Sequence, residues 1–510
     1  MQYYNDTWTL DDNFGMGRAG DQVARIALEA EPPFTLGITG KWGSGKTSVM
    51  RRAFVTLGGQ PVEQKLLMQE DLKREKNDKW EALLHDASED RKKKLSWPAE
   101  VHEDAQQIFC VWYSPWQHQN ENNPLIPLVK EIQAQFSTLI RLKKGAQEIN
   151  RRGGLAVAKL LEHLADAAAT MYLRKNINVA KGVTDAVRQG WHDAAPDLTS
   201  LSDGQRFHLL FEDAVTEVLK AVTESDSLRD KARLVIFVDD LDRCEEGVIV
   251  RLLEAIKLYL GSQRCLFVLG LDDNAVMEAL KRHWNRPEDA NREYLEKLFQ
   301  ATLSVPLPTV EGIRKRIHEQ LQTHKIPSCG EITECADIRE KMAKDIEQLL
   351  EPNPRKIKNF INGLCATWNM LDSAHWIKDE GEARQFLVFH YLRQYHRSIW
   401  RLLERQPETL QLLRAVLVQT GTLDPLNLKD IAEQDQRLLM EFFSRAFSHV
   451  LADNHEADEQ GRFHRRQDID AAIQAFTERQ DRKRSDEHLC KLVAELIPAQ
   501  TNLPQRYLVV

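Results

Sequence analysis

The sequence lacks any CxxC pair, and its seven cysteines are scattered over 510 residues. That spacing argues against a zinc cluster or a disulfide framework and predicts reduced thiols. The nearest two, Cys329 and Cys335, have no histidine pair at zinc spacing beside them. No run of 18 apolar residues occurs, so no membrane span is expected. The opening stretch MQYYNDTWTLDDNFGM carries neither the basic cluster nor the apolar segment of a secretory signal, and the expected location is cytoplasmic. Positive charge is not in excess: 69 Lys and Arg face 77 Asp and Glu, a net charge of -8, so no overall field draws in nucleic acid. An HExxH helix, a serine elbow, clustered histidines, internal repeats and low-complexity tracts are missing too. What remains, 42% apolar and 29% charged, is the composition of a globular chain. Its length suits about two to four domains.

One stretch is rich in what the rest has little of. GITGKWGSGKTSVM, residues 37–50, packs four glycines beside a Lys-Thr pair. Gly40, Lys41, Trp42, Gly43, Ser44, Gly45, Lys46 and Thr47 fit G-x-x-x-x-G-K-[ST]. The glycines let the backbone wrap phosphate without a Cβ clash, and the loop amides and the helix start through Ser48 point at anionic oxygens. Lys46 is placed to reach the β- and γ-phosphates of ATP, and Thr47 to offer its hydroxyl to Mg²⁺.

Such a cradle needs an acidic partner. Phe237-Val238-Asp239-Asp240 ends an apolar run, which puts carboxylates at the carboxyl edge of a sheet. Asp239 is expected in the Mg²⁺ shell, and Asp240 as the residue that orients or deprotonates the attacking water. Arg243 either pairs with this acidic turn or projects to a neighbouring subunit's γ-phosphate. Asp272 either senses the γ-phosphate or caps the next helix, with Asp273 and Asn274 beside it.

Around these motifs, strands are expected at Phe34–Thr39, Ile108–Tyr113, Leu234–Val238, Cys265–Leu271 and Ala301–Leu307, alternating with helices. This predicts an α/β fold: a three-layer parallel sheet with helical insertions at about 61–105 and 125–222. The nucleotide domain is expected over 1–310, a helical lid over 311–380 and an all-helical C-terminal domain over 381–510, with Glu382–Thr420 helical. Trp112 and Trp116 are expected in the core. The basic patches Arg91–Lys94 and Arg462–Arg466 read as solvated helix surface or as nucleic-acid contacts.

Several stretches together resemble the KAP group of P-loop NTPases, in the STAND class related to AAA-type ATPases. GKWGSGKTS, VWYSPW (111–116), FVDDLDRCEEGVIVRLLEAIKLYL (237–260), FVLGLDDNAV (267–276), YLEKLFQATLSVPLP (294–308) and NPRKIKNFING (353–363) match in order. The resemblance implies a P-loop sheet of the ASCE type, with the FCVWY strand at one edge and the cradle strand between two others. It implies a sensor role for Arg355 and a share in the base pocket for Asp21 to Ile26. Ser114 stands where the family has Asn, and Asn359 where it has Arg. Soluble relatives are linked to phage defence beside partner proteins. The expected activity is therefore a Mg²⁺-dependent ATPase acting as a nucleotide-driven switch, in a homo-oligomer or with other proteins. A nucleic-acid-stimulated motor and an ATP-binding scaffold stay open as alternatives.

Overall fold

The computed structural model of the chain describes residues 14–59, 107–121, 123–142, 157, 160–169, 202–223, 231–259, 261–327, 335–370, 379–420 and 483–498. The chain forms two compact units, one of Met16–Pro306 and one that joins Phe14 and Gly15 to the chain from Leu307 onward. The charged stretch 61–105 and both basic patches lie outside the described residues.

The first unit runs α1 (Gly17–Glu29), β1 (Phe34–Thr39), α2 (Lys46–Thr56), β2 (Ile108–Tyr113), α3 (Leu125–Leu142), α4 (Asp203–Val222), β3 (Arg233–Val238), α5 (Glu246–Tyr259), β4 (Cys265–Leu271), α6 (Asp273–Trp284), α7 (Glu288–Leu298) and β5 (Ala301–Ser304). The strands form one sheet in the order β2-β3-β4-β1-β5, with every pair parallel. The edge position of β2 and the inner position of β1 are as the family resemblance implies. The last strand stops short of Leu307. Val305 still donates to Thr39 at 2.8 Å, but Pro306 has no N–H with which to continue the ladder.

Alternation along the strands makes the three layers. Phe109, Val111 and Tyr113 of β2 and Leu234, Ile236 and Val238 of β3 pack in one core with α3, α4, α5 and α6. The opposite face meets α2: Phe54 sits edge-on to Trp112 and Phe237 at 5.6 and 5.5 Å. Trp112 and Phe237 are cross-strand partners whose rings stack at 5.7 Å. Leu234 to Val238 are therefore buried on both sides. Each such aliphatic side chain contributes about 1.5–3 kcal/mol by leaving water. Gly270 in β4 allows α2 to approach, since a Cβ there comes within 2.7 Å of Met50 Sδ. Trp116 corrects an expectation: it lies in a short 3-10 turn after β2 and is 43% exposed.

The second unit is helical: α8 (Val310–Thr323), α9 (Cys335–Leu349), α10 (Pro354–Met370), α11 (Glu380–Tyr395), α12 (Arg397–Arg405), α13 (Thr409–Thr420) and α14 (Lys483–Leu496). One core joins them, from Ile313 of α8 to Ile497. The helical stretch expected over 382–420 is three helices, and Pro407 lies between the last two. Cys110, Cys244, Cys265 and Cys365 are free and buried, as the expectation of reduced thiols requires. Cys335 departs from it: it is disulfide-bonded.

Helix α11 buries His390 against Phe360 and Phe386, whose rings lie 5.0 and 6.4 Å away. Burial lowers its pKa from 6.5 to about 4. Between those values the unfolded chain holds a proton that the folded chain refuses, so this histidine makes stability fall as pH falls through the window. The shift amounts to about 3 kcal/mol. The His390→Phe variant is expected to lose less thermal stability than wild type between pH 7 and pH 4.5, by calorimetry. Parallel loss in the two proteins contradicts the assignment.

Candidate nucleotide site

The loop between β1 and α2 has the backbone its composition predicts. Gly43 and Gly45 hold φ of 81° and 104°, a region that L side chains avoid. A Cβ on Gly45 also meets Met16 Sδ at 2.9 Å. Ser44 N donates to Lys41 O at 3.1 Å to close the turn, and Gly40 N donates to Leu271 O at 3.3 Å, tying the loop to the end of β4. Helix α2 begins at Lys46 without a side-chain cap. Its first amides, on Lys46 and Thr47, lie at the end of a helix that suits an anion. Ser44 Oγ is buried without a hydrogen-bond partner, while Lys41 and Trp42 form an exposed lip.

The sheet order brings the acidic turn to this loop. Strand β4 alone separates β1 from β3, so the segments following both strands leave the same edge. Thr47 Oγ1 donates to Asp239 Oδ1 at 3.2 Å across 192 residues of chain. Asp239 is 4% exposed. Burial, and then the charge of Asp240, push its pKa up to about 6, against the Thr47 hydrogen bond and the charge of Arg51. A buried carboxylate raised in this way gains from a cation. The hydroxyl and carboxylate oxygens are hard donors that fit Mg²⁺. Among the described residues no group of three or more His, Cys, Asp or Glu could hold a metal, so an ion here fits only as one completed by phosphate and water oxygens.

Asp240 takes a left-handed conformation, φ 58° and ψ 26°, which is rare for a residue other than glycine. It turns the chain into a 3-10 turn, Leu241–Arg243, anchored by fully buried Leu241. Ser114, at the end of the edge strand, donates to Asp240 Oδ2 at 3.4 Å, so the residue that departs from the family's Asn still reaches the acidic turn. Arg243 Nε pairs with Asp240 Oδ1 at 2.8 Å, and its guanidinium lies 5.6 Å from the Trp116 ring centroid. Of the two readings of Arg243, pairing within the chain is the one with an observed partner. The same holds for Asp272, whose side chain accepts from Asn274 N at 3.1 Å and caps α6.

Three contacts were not legible beforehand. Lys46 Nζ sits 2.9 Å from Asp242 Oδ2 and donates to Gly40 O and Lys41 O at 2.8 and 3.4 Å. Arg51, one turn further along α2, lies 3.6 Å over the Trp112 ring. Ser304 of β5 bonds Thr39 at 3.0 Å between hydroxyls. Asp242 was visible in DDLDR, but its direction depends on the left-handed Asp240 before it. Asp21, in α1, is bonded by Arg52 at 2.7 and 3.1 Å. Arg355 belongs to the second unit, in the first turn of α10, where Asn353 Oδ1 accepts from its N–H at 3.0 Å. Its part in the site stays with the resemblance that suggested it.

Comparison with known proteins agrees with this geometry. A sequence model described as the KAP family P-loop domain matches residues 21–371. The chain is similar to a phage T7 exclusion protein of Escherichia coli strain K12, 22% identical over 370 residues, which cover 69% of this chain and 41% of that protein. It thus spans about two fifths of that curated relative's length. Among solved structures, the ORC2 protein of Aeropyrum pernix in ADPNP-ADP complexes aligns over 97% of this chain and 96% of its own, at 9% identity and a TM-score of 0.33. Its ADP form aligns over 93% and 96%, at 12% identity and a TM-score of 0.31. Scores this low carry no argument.

Proposed function

The chain belongs to the KAP family of P-loop NTPases, and on that premise we propose that it binds ATP with Mg²⁺, hydrolyses it and uses the cycle to switch its assembly with partner proteins. The observation that carries the reading is the Thr47–Asp239 contact of 3.2 Å, which joins the glycine loop to the carboxylate edge of β3. A cradle without an acid binds phosphate; a cradle with an adjacent buried acid and a second carboxylate beside it suits hydrolysis.

The roles follow from position. The amides of Gly43 to Ser48 and the Lys46 ammonium hold the β- and γ-phosphates. Thr47 and Asp239 are the residues that would hold Mg²⁺, which when bound supplies charge neutralisation on the phosphates. Asp240 orients the attacking water and takes its proton, and Arg243 keeps that carboxylate in place. Trp42, 64% exposed at the lip, leaves an aromatic surface beside the phosphates. Among the described residues, no helix is long and apolar enough to cross a membrane. The similarity to a phage exclusion protein supports a role in limiting phage growth, with the partners drawn from the same defence system.

The test is nucleotide binding and phosphate release with Mg²⁺, for wild type and Lys46→Ala, over a range of protein concentration. Binding is expected to weaken at least about tenfold in the variant, and turnover to fall about a hundredfold or more. Turnover that rises faster than protein concentration supports an assembled active form. Light scattering should then give different masses in ATP and ADP, and plaque counts should rise when Lys46→Ala replaces wild type in cells. Equal turnover by both proteins sinks the ATPase reading.

A further inference from the structure

An ammonium has three protons to donate, and Lys46 is 7% exposed. It donates to two carbonyls of its own loop, Gly40 O at 2.8 Å and Lys41 O at 3.4 Å, and lies 2.9 Å from Asp242 Oδ2. The ion pair is enclosed, with side-chain exposures of 8% and 9%, so water screens it weakly. Asp242 Oδ2 has no well-aligned hydrogen bond, so the contact is mainly Coulombic and open to exchange with another anion.

The wider charge pattern points the same way. Two of the carboxylates that follow β3 are ion-paired within the chain, Asp240 with the Arg243 guanidinium and Asp242 with the Lys46 ammonium. A polyphosphate entering the loop must take Lys46 from Asp242 and leave that carboxylate facing it. Asp242 cannot easily turn away, because the left-handed Asp240 and fully buried Leu241 fix the turn that carries it.

We propose that Asp242 is a positioning residue of the site, a counter-ion that holds Lys46 and yields it to phosphate, and that it thereby sets nucleotide affinity. The inference rests on reading the loop as a nucleotide site. Two effects need separating. Asp242 repels phosphate whether or not Lys46 is present, whereas the held-lysine cost exists only with Lys46.

A double-mutant cycle separates them. Binding of fluorescent N-methylanthraniloyl ATP is measured in EDTA, up to millimolar nucleotide, for wild type, Asp242→Asn, Lys46→Ala and the double variant. Asp242→Ser serves as a second replacement should the Asn variant fold poorly. With Lys46 present, removing the Asp242 charge is expected to tighten binding about tenfold. In the Lys46→Ala background the gain should be about threefold or less. A double variant that binds no better than Lys46→Ala supports the proposal. Equal gains in the two backgrounds, or unchanged or weaker binding by Asp242→Asn, overturn it while Lys46→Ala still binds poorly and the nucleotide reading stands. Equal binding by wild type and Lys46→Ala removes the nucleotide reading, and this proposal with it.

Discussion

Asp240→Asn is expected to lower ATP turnover by about 100- to 1000-fold while changing nucleotide affinity by less than about threefold. The reason is local. Asn is isosteric and is one of the few residues that accept the left-handed backbone held at position 240, φ 58°. The turn should therefore keep its shape, and Leu241 its burial. The lost property is charge: the amide cannot take a proton from water and no longer pairs with Arg243, now 2.8 Å away. Single-turnover phosphate release and nucleotide titration check the two halves separately. Turnover within tenfold of wild type assigns the base elsewhere. A parallel loss of binding means that the residue shapes the cradle and is not the base.

The second large effect lies in the helical unit. Arg384 of α11 bonds both oxygens of Asp345 in α9, at 2.7 and 3.4 Å, and Glu495 of α14 at 2.6 Å. Asp345 is 4% exposed and also meets His488 at 3.1 Å. Glu495 is 56% exposed, so its arm of the network contributes little once solvent screening is counted. The buried arm is different. The Arg384→Met variant leaves the Asp345 carboxylate enclosed with only His488 beside it, and is expected to lose about 3–5 kcal/mol. Chemical denaturation should show an earlier transition of the helical unit. Adding Asp345→Leu should restore most of the loss, since a well-packed apolar pair replaces the ions at little net cost. A single variant as stable as wild type refutes the buried-pair account.

The second prediction depends on neighbours far apart in sequence, and that marks the limit of sequence reading here. Four of the strands could be located as short, largely apolar runs bounded by breakers, while β5, Ala-Thr-Leu-Ser, alternates apolar and polar residues. Of their order, the family resemblance implied only β2 at an edge and β1 between two others, since no local pattern states which strands pair. The same division runs through the site. The glycine loop reads directly, because phosphate wrapping demands positive φ and only glycine supplies it without strain, as at Gly43 and Gly45. Asp239 and Asp240 were legible as acids ending a buried strand. Trp116 was misplaced because an aromatic residue three positions after a strand gives no sign of which way a 3-10 turn faces it.

By itself, then, the sequence determined a phosphate-wrapping loop, an acidic strand end and an α/β alternation, since these are set by local backbone freedom and periodicity. Tertiary structure decided who pairs with whom. A left-handed Asp240 sends Asp242 back to Lys46, the edge strand delivers Ser114 to Asp240, and Gly270 lets α2 reach β4. Each is a contact between elements more than 60 residues apart or beyond a non-helical turn, where local propensity carries no information. The Lys46–Asp242 ion pair comes from that assembly, and it is the contact on which nucleotide affinity is expected to turn.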